Sequence, residues 1–424
     1  VAVLALAGVL AGYSAAAAWL YKRLSPLAVL PASALFAALW LLAELARGVL
    51  FTGFGWGAIG YAQLDGPLAG WIAWIGVYGV SALAAAVAVL LARVGQALLV
   101  RTQRRDGVRS AVLLLAVLAV SAQLPQRFGA SSGSLSVTLL QGNIAQDEKF
   151  ESASGVPQAL DWYGQQLQAS TSALVITPET AIPVLPWQLP PDYWDGLQQR
   201  FARGEQAALV GVPLGDLRTG YTNSVVGFKP GQALPWRYDK HHLVPFGEFI
   251  PPLFRWFTEL MAIPLGDFNR GALPQPTFDW QGQRLATTIC YENLFSEELA
   301  AQFADAERSP TLLVNISNLG WFGEHLALDQ HLQIARMRAL EYARPFLLAT
   351  NTGHTAVVDD QGRVQQRAPA HQASVLHAEV QGRSGYTPYA RWLSRYGLWP
   401  LALLACAVVL GVAVTRRRAP SVNP

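Results

Sequence analysis

Three side chains of this sequence, a cysteine, a glutamate and a lysine, each lie where an apolar run gives way to a turn or loop. Cys290 ends the apolar run in Ala286–Asn293 (ATTICYEN), Glu179 follows ALVIT in Thr177–Pro183 (TPETAIP), and Lys240 lies in a proline-rich loop. A thiol at a strand end is a candidate nucleophile, a carboxylate a candidate general base, and a lysine a candidate oxyanion donor. The three residue types together predict acyl transfer through a covalent cysteine intermediate.

Each residue also has a simpler interpretation. A free cysteine commonly fills a gap in an apolar core, a glutamate in a proline-flanked turn could cap that turn, and a loop lysine is ordinarily a surface charge. The loop around Lys240, Tyr238–Pro251 (YDKHHLVPFGEFIP), also supplies Glu248, which could orient the lysine or act as a second acid. It supplies His241 and His242 as well, and either histidine could pair with the cysteine.

The composition indicates that much of the chain lies in lipid. Of the 424 residues, 52% are hydrophobic and 14% are charged, whereas a soluble domain carries about 25% charged residues. A net charge of +3 is too small to indicate a nucleic-acid partner, and the chain has no Cys/His spacing of the zinc-binding kind. Apolar runs long enough to cross a bilayer predict spans at residues 1–21, 28–46, 67–91, 109–124 and 397–414.

Clusters of basic residues orient these predicted spans. A Lys-Arg pair follows the first span, arginines between Arg93 and Arg109 separate the third from the fourth, and Arg416–Arg418 follow the fifth. Basic residues near spans favour the cytoplasmic side. The pattern therefore predicts that residues 125–396 lie outside the cytoplasm and that residues 415–424 form a cytoplasmic tail.

The predicted outer segment alternates short β-rich runs with polar helical ones. Nearly continuous Val/Ile/Leu runs are typical of a sheet covered on both faces, so we expect a layered α/β domain. The predicted strands are 136–141, 173–177, 207–212, 222–228, 285–290, 312–317 and 346–350, and the predicted helices are 160–170 and 326–342.

Two aromatic segments could meet lipid. The loop at residues 47–65 contains Trp56 among several rings, which favour the membrane interface or could line a lipid path. The proline-rich insertion at residues 249–276 contains the stretch LFRWF at residues 253–257, which could act as a moving lid or as a static interface loop.

The strand-end Glu, loop Lys and elbow Cys resemble the nitrilase, or carbon–nitrogen hydrolase, superfamily, and further motifs resemble its apolipoprotein N-acyltransferase family. These motifs are GNI (142–144), PETAIP (178–183), KHHLVPFGE (240–248), ICYEN (289–293), NISNLGWFG (315–323) and HLQIARMRALEYARP (331–345). The resemblance implies an α-helical membrane bundle over residues 1–124 and a nitrilase-like α-β-β-α sandwich over residues 125–396. The family has more spans than this sequence predicts, so we expect a chain shortened at its N-terminus.

The resemblance also implies site residues. The implied triad is Glu179, Lys240 and Cys290, and the residues implied to support it are Glu248, Tyr291 and Glu292. Trp56 matches a membrane-loop tryptophan of the family and is expected to contact lipid. The aromatic residue that the family has after the GNI motif is usually Trp, and the nearest candidate in this sequence is Phe150.

The implied enzyme works in the bacterial inner membrane with its catalytic domain on the periplasmic face, and it needs no metal or cofactor. It moves an acyl chain from a phospholipid, typically phosphatidylethanolamine, through a thioester on Cys290. The acceptor is the α-amino group of S-diacylglyceryl-cysteine at a lipoprotein N-terminus. A membrane-tethered amidase with the same triad would pass the acyl group to water, and an inactive scaffold or transporter is a third hypothesis. The predicted spans favour the transferase, because both its substrates are lipid-anchored.

Overall fold

The structure is a computed structural model that describes residues 2–26, 28–232, 234–250, 268–323 and 326–418. The chain forms two compact units, one made of Val1–Gln126 with Thr387–Pro424 and the other of Arg127–Tyr386. The predicted outer domain, residues 125–396, therefore extends beyond the second unit at both ends. The aromatic stretch at residues 253–257 lies outside the described residues.

The helices and strands have the following bounds. The helices are α1 (Ala2–Leu24), α2 (Val29–Val49), α3 (Ile72–Leu99), α4 (Arg104–Gln123), α5 (Gly155–Ala169), α6 (Tyr193–Arg203), α7 (Ser296–Ala300), α8 (Leu326–Tyr342), α9 (Pro388–Tyr396) and α10 (Trp399–Arg418). The strands are β1 (Ser131–Gln141), β2 (Leu174–Ile176), β3 (Ala207–Asp216), β4 (Gly220–Phe228), β5 (Trp236–Asp239), β6 (Phe278–Trp280), β7 (Gln283–Ile289), β8 (Leu312–Ser317), β9 (Phe346–Thr350), β10 (Ala356–Val358), β11 (Val364–Arg367) and β12 (Ser374–Arg383).

The first unit contains the apolar helices. Within the described part of the chain, five helical segments are long and apolar enough to cross a membrane, and they overlap the five predicted spans. The segments are Val3–Leu24, Val29–Thr52, Ala69–Leu99, Arg104–Gln123 and Trp399–Arg416.

A buried carboxylate ties α2 to the aromatic loop that follows it. Glu44 is 4% exposed, and its Oε1 accepts hydrogen bonds from the Trp40 indole and from the backbone N–H of Ile59, both at 3.0 Å. An ionisable group inside an apolar helix is costly to bury and is retained where it has defined partners. Glu44 therefore ties α2 to the loop at a point three residues after Trp56.

Helix α3 bends at Gly76, and α9 packs into the bend. Gly76 has φ +63°, and a Cβ there would lie 2.2 Å from the ring of the buried Tyr389 of α9. The Tyr389 ring packs edge-on against Trp392, whose indole donates a hydrogen bond to the carbonyl of Trp74 at 3.0 Å. These contacts explain why α9 belongs to the helical unit, although the sequence placed it in the outer domain.

The second unit is a sandwich of two six-stranded sheets. Their strand orders are β12-β1-β2-β3-β4-β5 and β11-β10-β9-β8-β7-β6, with parallel pairing among β1, β2 and β3 and among β7, β8 and β9. Apolar side chains of both sheets form one shared core. Helices α5 and α6 cover the outer face of the first sheet, and α8 packs against β9 and β10 of the second. The predicted α-β-β-α fold class is confirmed.

The strands that the sequence missed lack a continuous apolar run. All seven predicted strands are present, and β8 and β9 have the predicted bounds. β11 is exposed at every residue, and β12 alternates between exposed and buried positions. β5, β6 and β10 are only three or four residues long. Such strands are defined by their neighbours rather than by their own hydrophobicity.

Replacement of Gly76 by alanine should destabilise the helical unit. A left-handed backbone costs a non-glycine residue about 1–2 kcal/mol, and the added methyl group would also collide with the Tyr389 ring. Gly95, in the same helix, is the matched control because a Cβ there meets no atom within 4 Å. We expect thermal unfolding in detergent to occur at a lower temperature for Gly76→Ala, and at the same or a higher temperature for Gly95→Ala. Equal unfolding temperatures for the two variants would contradict this account of the bend.

Candidate active site

Cys290 lies at a sharp elbow after a central strand of the second sheet. β7 ends at Ile289, and Cys290 begins a short 3₁₀ turn with φ +51°. A non-glycine residue in the left-handed region is uncommon, and such strain concentrates at functional sites. The amide of Asn315 on the neighbouring strand β8 donates a hydrogen bond to the Cys290 carbonyl at 3.3 Å. The elbow thus places a partly buried thiol at the end of β7.

Glu179 lies in the turn that follows β2 of the first sheet. The turn crosses β3 at Gly211, where a Cβ would lie 2.2 Å from the Pro178 carbonyl oxygen, so only glycine leaves room for it. The Glu179 carboxylate is buried, and each of its oxygens has a donor. Oε1 accepts from the Asn223 amide at 2.7 Å, and Oε2 accepts from the backbone N–H of Asn318 at 2.8 Å.

Lys240 follows β5 and reaches two carboxylates. Its ammonium is 1% exposed and lies 2.8 Å from Glu248 Oε1 and 3.2 Å from Glu179 Oε1. The Asn223 amide donates to Glu248 Oε1 at 2.8 Å as well, so it bridges the same two carboxylates. The backbone N–H of Val244 binds the second Glu248 oxygen at 2.8 Å. Glu179, Lys240 and Glu248 therefore form one buried ion cluster.

The charges of this cluster favour an ionised Glu179 carboxylate beside a neutral Cys290 thiol. Burial raises the pKa of Glu179, but the charges of Lys240 and Lys149 and the Asn223 hydrogen bond outweigh burial and hold this pKa below its ordinary value. Burial lowers the pKa of Lys240, yet Glu179 and Glu248 raise it further, so the ammonium stays charged. Burial and then Glu179 raise the pKa of the Cys290 thiol, which hydrogen-bonds to the Glu179 carboxylate.

Glu292 joins the cysteine elbow to the lysine loop. Its Oε2 accepts from the Ile289 N–H at 2.6 Å and from the Tyr238 hydroxyl at 2.9 Å. Its Oε1 accepts from the N–H groups of His241 and His242 at 2.6 and 3.1 Å. The four donors come from both segments, so this carboxylate acts as a clamp between them. Burial raises the pKa of Glu292 to about 7, against the lowering effect of its backbone N–H donors.

The two loop histidines and Tyr291 have partners of their own beside the clamp. The His242 ring stacks on Phe295 at 3.5 Å, and its Nδ1 lies 2.8 Å from Glu298 Oε1. Tyr291 packs against both of these rings. His241 Nδ1 lies 2.7 Å from the carbonyl oxygen of Gly271. These contacts give both imidazoles partners other than the thiol.

The two aromatic residues predicted to bind substrate lie in different units. Phe150 is 55% exposed in the second unit, and the ammonium of the adjacent Lys149 lies 5.9 Å from the centre of its ring. Trp56 lies partly buried in a turn of the loop after α2, in the first unit.

Sequence reasoning missed three polar residues that contact Glu179, namely Asn223, Asn318 and Lys149. Asn223 lies in β4 between Thr222 and Ser224, and Asn318, the last residue of the NISN motif, directly follows β8. Lys149 is one of only four lysines in the chain, and it is 2% exposed. The rarity of lysine in this chain is the one signal that the sequence offers for these three residues.

Comparison with known proteins identifies the family. A model of the carbon-nitrogen hydrolase family matches residues 136–389, and a model of the apolipoprotein N-acyltransferase N-terminal domain matches residues 1–90. The chain is 53% identical over 420 residues to apolipoprotein N-acyltransferase from Verminephrobacter eiseniae, which covers 94% of this chain and 77% of that protein. The chain belongs to the apolipoprotein N-acyltransferase family. It is also 45% identical over 425 residues to the family member from Ralstonia nicotianae, which covers 98% of this chain and 78% of that one.

A crystal structure of a nitrilase-superfamily protein from Saccharomyces cerevisiae is similar at 17% identity and a TM-score of 0.42, over 69% of this chain and 97% of that one. As an apolipoprotein N-acyltransferase family member, the chain is a membrane protein and an acyl-transferring enzyme of the carbon–nitrogen hydrolase superfamily. The predictions of family, fold class and enzyme class are confirmed.

Replacement of Glu292 by glutamine should loosen the clamp. The amide keeps the shape of the side chain but turns one acceptor into a donor, which leaves at least one buried N–H unpaired at a cost of about 1–3 kcal/mol. Tyr238→Phe, which removes a single donor, should cost about 0.5–1.5 kcal/mol. Chemical unfolding of both variants measures these costs. If Glu292→Gln had the same free energy of unfolding as the wild type, the hydrogen bonds of the clamp would not stabilise the fold.

The cost of Glu292→Gln should also depend on pH. The folded pKa of about 7 lies above the ordinary value of 4.5, so the folded chain binds the proton more tightly than the unfolded chain. The stabilising contribution of Glu292 is therefore complete below the unfolded pKa and is lost as pH rises through the folded pKa. We expect the stability difference between wild type and Glu292→Gln to shrink as pH rises from about 5 to about 8.

Proposed function

We propose that the chain acylates the N-terminal cysteine of diacylglyceryl-lipoproteins, with a phospholipid as acyl donor and Cys290 as the nucleophile. The observation that carries the proposal is the thiol of Cys290 at a strained elbow, hydrogen-bonded to a carboxylate that also binds a buried lysine. The matching family members, which are named for this transfer, support the choice of acceptor.

The first half-reaction forms a thioester. Glu179 accepts the thiol proton while Cys290 Sγ attacks the ester carbonyl carbon of the phospholipid. Lys240 stabilises the oxyanion of the tetrahedral intermediate. The C–O bond to the glycerol oxygen then breaks, the leaving oxygen takes the proton from Glu179, and a lysophospholipid departs.

The second half-reaction uses the same groups in reverse. The acceptor α-amino nitrogen attacks the thioester carbonyl carbon and gives a proton to Glu179. The C–S bond breaks, and the Cys290 thiolate recovers the proton as the amide forms. A thioester reacts more readily with amines than an oxygen ester does, so the covalent step divides one difficult transfer into two easier ones.

In this scheme Glu248 and Glu292 position the reacting groups, and Phe150 and Trp56 contact the lipid substrates. Glu248 holds Lys240 between two carboxylates, and Glu292 keeps the lysine loop against the cysteine elbow. Phe150, exposed next to the buried Lys149, would contact an acyl chain, and Trp56 would contact lipid at the membrane face. The basic clusters around the predicted spans support a catalytic domain on the periplasmic face of the inner membrane.

Intact-mass spectrometry tests the nucleophile. Incubation with phosphatidylethanolamine should add one acyl chain to the wild type and to Cys406→Ala, which removes the exposed cysteine of α10. Cys290→Ala should gain no acyl chain, and a gain in that variant would refute the assignment. A diacylglyceryl-cysteinyl peptide should discharge the adduct faster than water does. Rapid release of free fatty acid in water alone would instead identify a hydrolase.

Replacement of the base and of the lysine should separate their roles. Glu179→Gln should slow thioester formation by about 10²- to 10⁴-fold, because no carboxylate takes the thiol proton. Lys240→Met should slow both half-reactions by about 10²- to 10³-fold, because each passes through an oxyanion. Lys229→Met is the matched control, since Lys229 is a partly exposed lysine outside the cluster, whose ammonium donates a hydrogen bond to the Asp279 carbonyl at 2.7 Å and lies 5.3 Å from the Phe278 ring. Single-turnover rates within about twofold of wild type for Glu179→Gln would point to a different base.

A further inference from the structure

A second lysine, Lys149, contacts Glu179 at its backbone carbonyl, whereas Lys240 contacts its carboxylate. Lys149 is 2% exposed, and its ammonium donates a hydrogen bond to the Glu179 backbone carbonyl at 2.9 Å. The acidic neighbours on its own segment, Asp147, Glu148 and Glu151, are exposed. The lysine thus turns inward from a segment whose other charges face solvent.

The segment that carries Lys149 is fixed to the rest of the site. The Ile144 N–H and carbonyl both bind the side chain of Asn351, at 3.1 and 2.8 Å. The Gln146 side chain accepts a hydrogen bond from Asn318, whose backbone N–H binds Glu179. The segment that carries Lys149 is therefore anchored by the same residue that binds the Glu179 carboxylate.

The charge balance of the buried site requires a second cation. Glu179 and Glu248 carry two negative charges, and Lys240 between them carries one positive charge. When Glu179 takes the thiol proton, its negative charge passes to the thiolate and then to the oxyanion, so the total charge of the site does not change. With Lys149 included, the charges of Glu179, Glu248, Lys240 and Lys149 sum to zero in a region with little water, where unbalanced charge is most costly.

The occurrence of a lysine at position 149 also supports a role for its charge. The chain has 31 basic residues and only four lysines, which are Lys22, Lys149, Lys229 and Lys240, and two of these four lie in this site. Holding one backbone carbonyl needs a single donor, whereas an ammonium brings a compact full charge and three N–H groups. Glu179 and Cys290 are the titratable groups that act on Lys149, and both favour its charged form. Burial opposes them and lowers its pKa to about 8.

We propose that Lys149 is a positioning residue of the reaction centre, whose charge stabilises the Cys290 thiolate and the oxyanion while its hydrogen bond holds Glu179. The inference rests on the proposed function of this site and adds a fourth charged group to it. Lys149 is charged at neutral pH and loses its charge as pH rises through about 8. The stabilisation that it gives to the thiolate is lost over the same interval.

The rate at which iodoacetamide alkylates Cys290 measures how far Lys149 stabilises the Cys290 thiolate. In a Cys406→Ala background Cys290 is the only thiol, so the alkylation rate against pH reports its thiolate. Lys149→Met should move this profile to higher pH by about one unit, a tenfold lower rate near neutral pH. Lys229→Met, the matched control, should leave the profile unchanged. A wild-type profile in a folded Lys149→Met variant would overturn the proposal and leave Lys149 as a structural hydrogen-bond donor.

Lys149→Arg provides the second variant, because it keeps the charge at every pH used. The thioester-forming rate of the wild type should fall on the alkaline side of pH 8, and Lys149→Arg should lack this fall. Persistence of the fall in a folded Lys149→Arg variant would overturn the proposal. The alkylation profile does not depend on lipid, so failure of Cys290 to be acylated would count against the proposed function and leave this inference testable.

Discussion

The sharing of one buried ammonium by two carboxylates is the constraint on which the rest of the site depends. Burying three ionised groups is costly unless each has its partners in good geometry. Here β2, β4 and β5 of one sheet supply Glu179, Asn223 and Lys240, and the Asn223 amide bridges the carboxylates that the ammonium also binds. The cysteine comes from the other sheet, so the two sheets must pack together before the thiol can hydrogen-bond to Glu179.

The sequence predicted those parts of the fold that local hydrophobicity defines. The apolar runs of β8 and β9 have the bounds that the sequence assigned, whereas β11 and β12 show no such run and are strands because of their neighbours. Helix α9 falls in the predicted outer domain because the fifth predicted span begins only at residue 397. Only the pocket that Gly76 opens for Tyr389 shows that it belongs with the apolar helices.

The candidate site shows the same division. Cys290, Glu179 and Lys240 could be singled out because each interrupts or ends a local pattern, and the family resemblance assigned their roles. Asn223 and Lys149 meet Glu179 from 44 and 30 positions away in the chain, and no local pattern records such a contact. The proposed role of Lys149 depends on the balance of charges in the buried site, and that balance depends on which groups the fold buries together.

The clamp at Glu292 has a consequence for how two bulky substrates use one centre. Glu292 ties the cysteine elbow and the lysine loop to a single carboxylate, so in the proposed two-step reaction the thiol and the ammonium would keep their separation throughout. Donor and acceptor must then deliver their reacting atoms to one fixed point. The enzyme would then distinguish donor from acceptor by the order in which they bind and leave. The same catalytic groups would act on both molecules.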